Sequence, residues 1–265
     1  MKWVLNTYRV SQDWDVPTII DMCQKTGHEG IEFLLDFNQK HGIEDDVSPE
    51  YVAGVAKQVA EADLWVASLT SCSKFDDADP AKLEENKGKA KRTIDLAAHI
   101  GCKHVRVLGD RIGETLGREK TIDQVAQTLA ELGEYAAPSG ITVSMEMHGH
   151  FIDPELSRAV MEKVSRDNVG LVFNCVWPVG AESGWSLPEG TTSIRSIYAQ
   201  TGKYWTAVHT HGFERPWETP FYLEMFELLK KDGFDGFISN ECAYVGPDPE
   251  KVLSLYTAFF RAATK

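Results

Sequence analysis

Four short segments in the C-terminal half set proton- or metal-handling groups inside otherwise apolar runs: Ser144-Met145-Glu146-Met147-His148, Phe173-Asn174-Cys175, His209-Thr210-His211 and Ser239-Asn240-Glu241-Cys242. Carboxylates are seldom buried without partners, so Glu146 and Glu241 stand out in such surroundings. In extended chain, alternation puts Glu146 and His148 on one face, opposite Met145 and Met147. Two carboxylates, an amide oxygen and an imidazole suit a hard or borderline divalent cation that keeps positions open for a substrate. Any one histidine is more often a hydrogen-bonded structural residue, and it is the recurrence at four comparable places that carries the metal reading. Cys23, Cys72, Cys102, Cys175 and Cys242 are scattered and form no C-x-x-C pair, so neither a disulfide framework nor a thiolate zinc site is expected. The expected cofactor is one divalent metal ion, Mn2+ first, with Mg2+ or Co2+ as alternatives.

Elements that would position these groups are visible along the whole chain. Runs rich in β-branched and aromatic residues begin at Trp3, Ile31, Trp65, His104, Ile141, Val169, Thr206 and Phe237. Their mean spacing of about 33 residues is that of one βα unit in a parallel barrel. Segments with three- and four-residue apolar spacing lie between and after them: Val16 to Lys25, Pro49 to Ala62, Pro80 to Ile100, Thr121 to Tyr135, Pro154 to Val164, Gly190 to Gln200, Pro220 to Lys231 and Pro249 to Ala262. Ser48-Pro49, Asp79-Pro80, Asp153-Pro154, Thr219-Pro220 and Asp248-Pro249 read as helix starts, a capping side chain followed by a residue with helical φ. No linker divides the chain, so the expectation is an α/β fold, a single (β/α)8 TIM barrel over residues 1–265, with a doubly wound pair of half-domains as the alternative. In a barrel of this kind the site forms at the carboxyl ends of the strands, where the four segments fall.

Composition removes several classes. The chain has 27 Lys and Arg against 40 Asp and Glu, a net charge of −13, and that surface repels a phosphate backbone. Nucleic acid is therefore not an expected partner. No apolar stretch approaches the roughly 18 residues of a membrane span, and the first residues enter a strand-like run without a signal-peptide core, which leaves a cytoplasmic location as the expectation. A homo-oligomer is the default for a soluble enzyme. Neither G-x-x-x-x-G-K-[ST] nor G-x-G-x-x-G after the first strand occurs, and G-x-S-x-G is missing, which leaves nucleotide-dependent hydride transfer and serine hydrolysis without support.

The segments MEMHGH, VGLVFN, AVHTHGF and FISNEC, with GIEF around Glu32, resemble the xylose isomerase-like TIM-barrel superfamily, which includes sugar epimerases, hydroxypyruvate isomerase, inosose dehydratase and endonuclease IV. The resemblance in layout runs over essentially the whole chain. It implies one divalent metal held by Glu, Asp, His and Glu on strands five to eight, with the two Glu residues also moving protons. Those positions are Glu146, Asn174, His211 and Glu241 here. Asn174 departs from the pattern: it offers a carbonyl oxygen but no charge, which weakens or retunes the metal. His209 and His148 are then further ligands or substrate contacts.

Such a constellation acidifies the C–H beside a sugar carbonyl, and Glu146 and Glu241 on opposite faces of the carbon would invert it. Return of the proton to the neighbouring carbon gives isomerisation, and loss of a β-oxygen gives a lyase. Arg106, Trp177 and Arg215 join His148 and His209 as candidate substrate contacts. Trp177, Trp185, Trp205 and Trp217 concentrate around the last strands, which suits packing on a sugar ring and equally suits core or subunit contact. The reading is a metal-dependent isomerase or epimerase of a small keto sugar or polyol derivative working through an enediolate. Its alternatives are a lyase or dehydratase acting on a keto sugar or keto-glycoside at the same site, or a metal-free barrel that binds carbohydrate or protein. Endonuclease action ranks last because of the charge.

Overall fold

Strands and helices alternate along the computed structural model, which describes residues 1–175, 193–212, 218–242 and 246–265. The order is β1 (Lys2–Asn6), α1 (Val16–Thr26), β2 (Gly30–Leu34), α2 (Pro49–Glu61), β3 (Trp65–Lys74), α3 (Pro80–Ile100), β4 (His104–Leu108) and α4 (Gly117–Ala136), then β5 (Thr142–Glu146), α5 (Pro154–Val164), β6 (Val169–Asn174), α6 (Ile194–Thr201), β7 (Trp205–Thr210), α7 (Glu218–Lys231), β8 (Phe237–Asn240) and α8 (Pro249–Thr264). Neighbouring strands pair in parallel, and β1 pairs with β8, so the sheet closes into an eight-stranded barrel. This is the (β/α)8 architecture expected from the 33-residue period. Among the described residues no helix is long and apolar enough to cross a membrane.

The helix starts follow from local chemistry. Asp79, Ser48, Asp153 and Asp248 each accept a hydrogen bond from a first-turn backbone N–H just ahead of a proline. Thr219-Pro220 behaves differently, because α7 already begins at Glu218 and the pair sits inside the first turn. The missing N–H of Pro220 costs nothing there, since the first N–H groups of a helix have no intrahelical acceptor. Helix α4 starts four residues before the predicted Thr121, at Gly117, whose φ of +72° suits glycine.

Between barrel and helices lies the main core, where Ile31, Phe33, Val105, Val107, Val143 and Met145 meet Ile19, Val52, Ile94 and Leu129. Inside the barrel, Val4, Ala67, Val172, Ala207 and Phe237 form a small apolar layer. His104 stands edge-on to Phe237 and bonds to the hydroxyls of Ser68, Ser144 and Thr206. The rest of the interior is polar: Glu32, Thr70, Arg106, Glu146 and His209 are all buried. Trp205 is core, stacked on Phe173 at 4.2 Å.

Candidate active site

Strand β5 ends at Glu146, which is 2% exposed and held on two sides. The guanidinium of Arg106, from β4, stands 2.8 Å from Glu146 Oε2. The other oxygen, Oε1, accepts from Asn174 Nδ2 at 2.5 Å. Asn174, the last residue of β6, in turn accepts at Oδ1 from His211 Nε2 at 2.7 Å. His211 follows β7, and its Nδ1 lies 3.9 Å from Glu241 Oε2, just past β8. Four successive strand ends thus bring Glu146, Asn174, His211 and Glu241 into one chain of contacts. Arg106 also donates to the Ser71 carbonyl; burial works against its charge, but the Glu146 carboxylate outweighs that and keeps it cationic.

His209 sits one layer lower. It is fully buried, with Nε2 3.1 Å from Glu32 Oε1 and Nδ1 facing Glu146 Oε2 at 3.7 Å and Glu241 Oε2 at 3.5 Å. Burial opposes its charge, yet Glu32 and Glu241 overcome this and hold its pKa well above the usual imidazole value. Burial likewise opposes ionisation of Glu32 and Glu241, and His209 more than compensates, so both pKa values are lowered. His209 was read from the sequence as a further ligand or a substrate contact; it is fully buried and does not line the cavity, but a ring nitrogen lies within reach of both Glu146 and Glu241. Two residues along a strand amount to roughly 6–7 Å of depth, which separates it from His211.

A third group lies at the rim. Asp110, after β4, accepts from His148 Nδ1 at 2.8 Å and from Lys74 Nζ at 2.5 Å. Its backbone is left-handed at φ +67°, a region that aspartate tolerates. The chain leaving His148 passes so close to Asp110 that a Cβ on Gly149 would meet the Asp110 carbonyl at 2.1 Å, so glycine is required there for packing as well as for its φ of +61°. Hydrogen bonding to Asp110 raises the pKa of His148. Burial pushes Asp110 up, but its bonds to His148 and Lys74 win and lower it to about 2.

These groups surround a cavity of about 320 Å3, lined by Tyr8, Phe37, Lys74, Arg106, Glu146, His148, Asn174, His211 and Glu241. Oxygens of Glu146 and Glu241 and a ring nitrogen of His209 lie within 4.8 Å of one another, close enough to hold one metal ion. His209 Nδ1 faces Glu146 Oε2 and Glu241 Oε2, and two carboxylates with an imidazole are a donor set that fits a divalent cation. Of the candidates read from sequence, Trp177 and Arg215 lie outside the described residues, as do Trp185 and Trp217. Lys74 and Asp110 escaped sequence reading: an isolated charge at a strand end has no periodic signature, and β3 runs ten residues from Trp65 before it reaches Lys74.

Residues 20–262 match the family model described as xylose isomerase-like TIM barrel. Inosose isomerase of Bacillus velezensis is 24% identical over 183 residues, 66% of this chain and 62% of that protein, so the match spans less than two thirds of that relative's length. Inosose isomerase of Halalkalibacterium halodurans is 23% identical over 258 residues, 91% of this chain and 87% of that protein. Among solved structures, an L-ribulose 3-epimerase superposes with a TM-score of 0.80 at 16% identity, covering 99% of this chain and 94% of its own. The IOLI protein with a bound zinc atom gives 0.77 at 17% identity, covering 100% and 98%.

Proposed function

The chain belongs to the xylose isomerase-like TIM-barrel family, and from that premise we propose that it is a metal-dependent isomerase or epimerase of a small keto sugar or polyol derivative. The observation that carries this reading is the pair of buried carboxylates, Glu146 and Glu241, which line one pocket and lie, with a ring nitrogen of His209, within 4.8 Å of one another. The relatives with sequence similarity are inosose isomerases, which is consistent with a polyol-derived ketone as substrate.

Glu146, Asn174, His211 and Glu241 would hold the divalent cation, since all four line the cavity and touch one another in sequence. When bound, the cation withdraws electron density from the substrate's vicinal oxygens and so acidifies the adjacent C–H. One carboxylate, Glu146 or Glu241, removes the proton from the carbon beside the carbonyl, leaving an enediolate. The other returns a proton to the opposite face, which inverts the centre, or the proton returns to the neighbouring carbon and carbonyl and hydroxyl exchange places. Arg106 fixes the orientation of Glu146. Lys74 and His148, both at the rim, are placed to bind hydroxyl or carbonyl oxygens, with Asp110 setting their positions.

The test is a panel of keto sugars and inososes incubated in D2O with added Mn2+ and followed by NMR. Deuterium appearing at the carbon next to the carbonyl, together with a second isomer, supports the reading. Irreversible formation of an unsaturated product would make the enzyme a lyase instead, and no exchange on any member with metal bound would contradict both.

A further inference from the structure

Part of the cavity wall is held from behind by charged groups outside the cavity. Asp36, just past β2, makes two connections: its Oδ2 accepts from the backbone N–H of Cys72, on β3, at 2.8 Å, and its Oδ1 pairs with Lys89 Nζ, on α3. Cys72 and Phe37, the neighbour of Asp36 in the chain, both line the cavity. A second tie lies further along the same loop, where Asp45 pairs with Arg92 Nη2, also on α3, at 2.7 Å and accepts from its Nε at 2.9 Å. Between the two ties Phe37 adopts left-handed backbone at φ +70° and is 61% exposed. A bulky residue is an outlier in that region and stays there only where surrounding structure enforces it. The placement of the Phe37 ring therefore depends on the ties to α3.

Glu44 lies beside both ties. Its Oε1 is buried and, among the described residues, has no hydrogen-bond partner. The charged groups that face it are Asp36, Asp45 and Asp46 from its own loop and Lys89 from α3. Asp46 is exposed to solvent and so is screened. Asp36, Glu44 and Asp45 are left to share two cations, Lys89 and Arg92. With Glu44 protonated the charges match, whereas an ionised Glu44 adds a surplus carboxylate with a buried, undonated oxygen. Burial, reinforced by the neighbouring carboxylates, raises the Glu44 carboxyl from its usual 4.5 to about 7, and Lys89 only partly offsets this.

We propose that Asp36, Glu44 and Lys89 form a pH-sensitive latch on the mouth of the cavity: with Glu44 protonated, Lys89 holds Asp36 and the Phe37 wall in place, and ionisation of Glu44 releases them. The ionised carboxylate repels Asp36 and competes with it for the Lys89 ammonium, so the Cys72 N–H loses its acceptor. The folded chain keeps the Glu44 proton up to about 7, whereas the unfolded chain loses it near 4.5. The stabilisation is therefore present in full below 4.5 and is lost as pH rises through about 7. Asp36, Glu44 and Lys89 take no part in the chemistry proposed above, and the latch stands whether or not that chemistry does.

The test is hydrogen exchange of the full chain at about pH 6 and about pH 8.5, read over residues 36–46 and 70–74 and corrected for the intrinsic pH dependence of amide exchange. Protection of both segments is expected to fall at least about three-fold between the two conditions in the parent, and by clearly less in Glu44→Gln. Lys89→Met removes the latch from the other side. It should show low protection at both pH values, and it keeps the test decisive if Glu44→Gln does not fold. Equal protection of the parent at both pH values, or a fall in either variant as large as the parent's, would overturn the proposal.

Discussion

The carboxamide of Asn174 donates to Glu146 Oε1 across 2.5 Å, joining the ends of β5 and β6. An amide there satisfies the carboxylate without a cation, whereas an aspartate would oppose it with like charge. Asn174→Asp is therefore expected to destabilise the metal-free protein by about 1 kcal/mol, a fall in Tm of roughly 2–4 °C for a domain of this size. It should also tighten Mn2+ binding roughly ten-fold, because affinity rises with the charge of the ligand set. Thermal melts and metal titrations of the two proteins check both arms. Equal metal affinity would mean that position 174 does not contribute to the cation site.

His148 should titrate above the usual imidazole range because Asp110 accepts its Nδ1 hydrogen at 2.8 Å. A raised folded-state pKa contributes stability that is present in full below the unfolded value and is lost as pH rises through the folded one. Asp110→Asn is expected to move the His148 midpoint downward, read from its ring carbon-bound proton shifts. A midpoint unmoved by the substitution would show that Asp110 does not govern the imidazole.

Acid sensitivity is expected from two buried histidines that do not line the pocket. Burial lowers His104 to about 4 and His28 to about 3 from a usual value of 6.5. Above 6.5 both folded and unfolded chains keep these rings neutral, so their contribution is constant. As pH falls from 6.5 toward 4, the unfolded chain takes up protons that the folded one refuses, and stability declines. Urea midpoints should therefore drop over that window, and His104→Asn should show a shallower slope than the parent. Equal slopes would mean that His104 gains its proton without loss of structure.

The period of strand-like runs and the capped prolines gave the barrel away, because each βα unit repeats the same local chemistry: a buried strand, a polar cap, an amphipathic helix. Glu146, Asn174, His211 and Glu241 were legible for the same reason, as polar residues recurring at equivalent strand ends. Depth was not legible. Period-two alternation puts His209 and His211 on one face of β7 but does not say that one is fully buried and the other lines the cavity. The rim group Lys74, Asp110 and His148 depends on the lengthened β3 and on the left-handed turn at Asp110, both products of tertiary packing. Phe37 lies in a loop with no periodic pattern, so its place beside Tyr8 in the cavity wall emerges only from tertiary packing.

The central claim is that Glu146 and Glu241 move the protons. Its most direct test is solvent deuterium incorporation into a reacting keto sugar by the Mn2+-loaded parent, Glu146→Gln and Glu241→Gln, with metal content measured alongside. Each substitution is expected to slow exchange by at least about 10²–10⁴-fold, the span that general acid–base catalysis contributes, in protein that still folds and is assayed at saturating Mn2+. Exchange retained within a few-fold of the parent in both variants would contradict the two-carboxylate account.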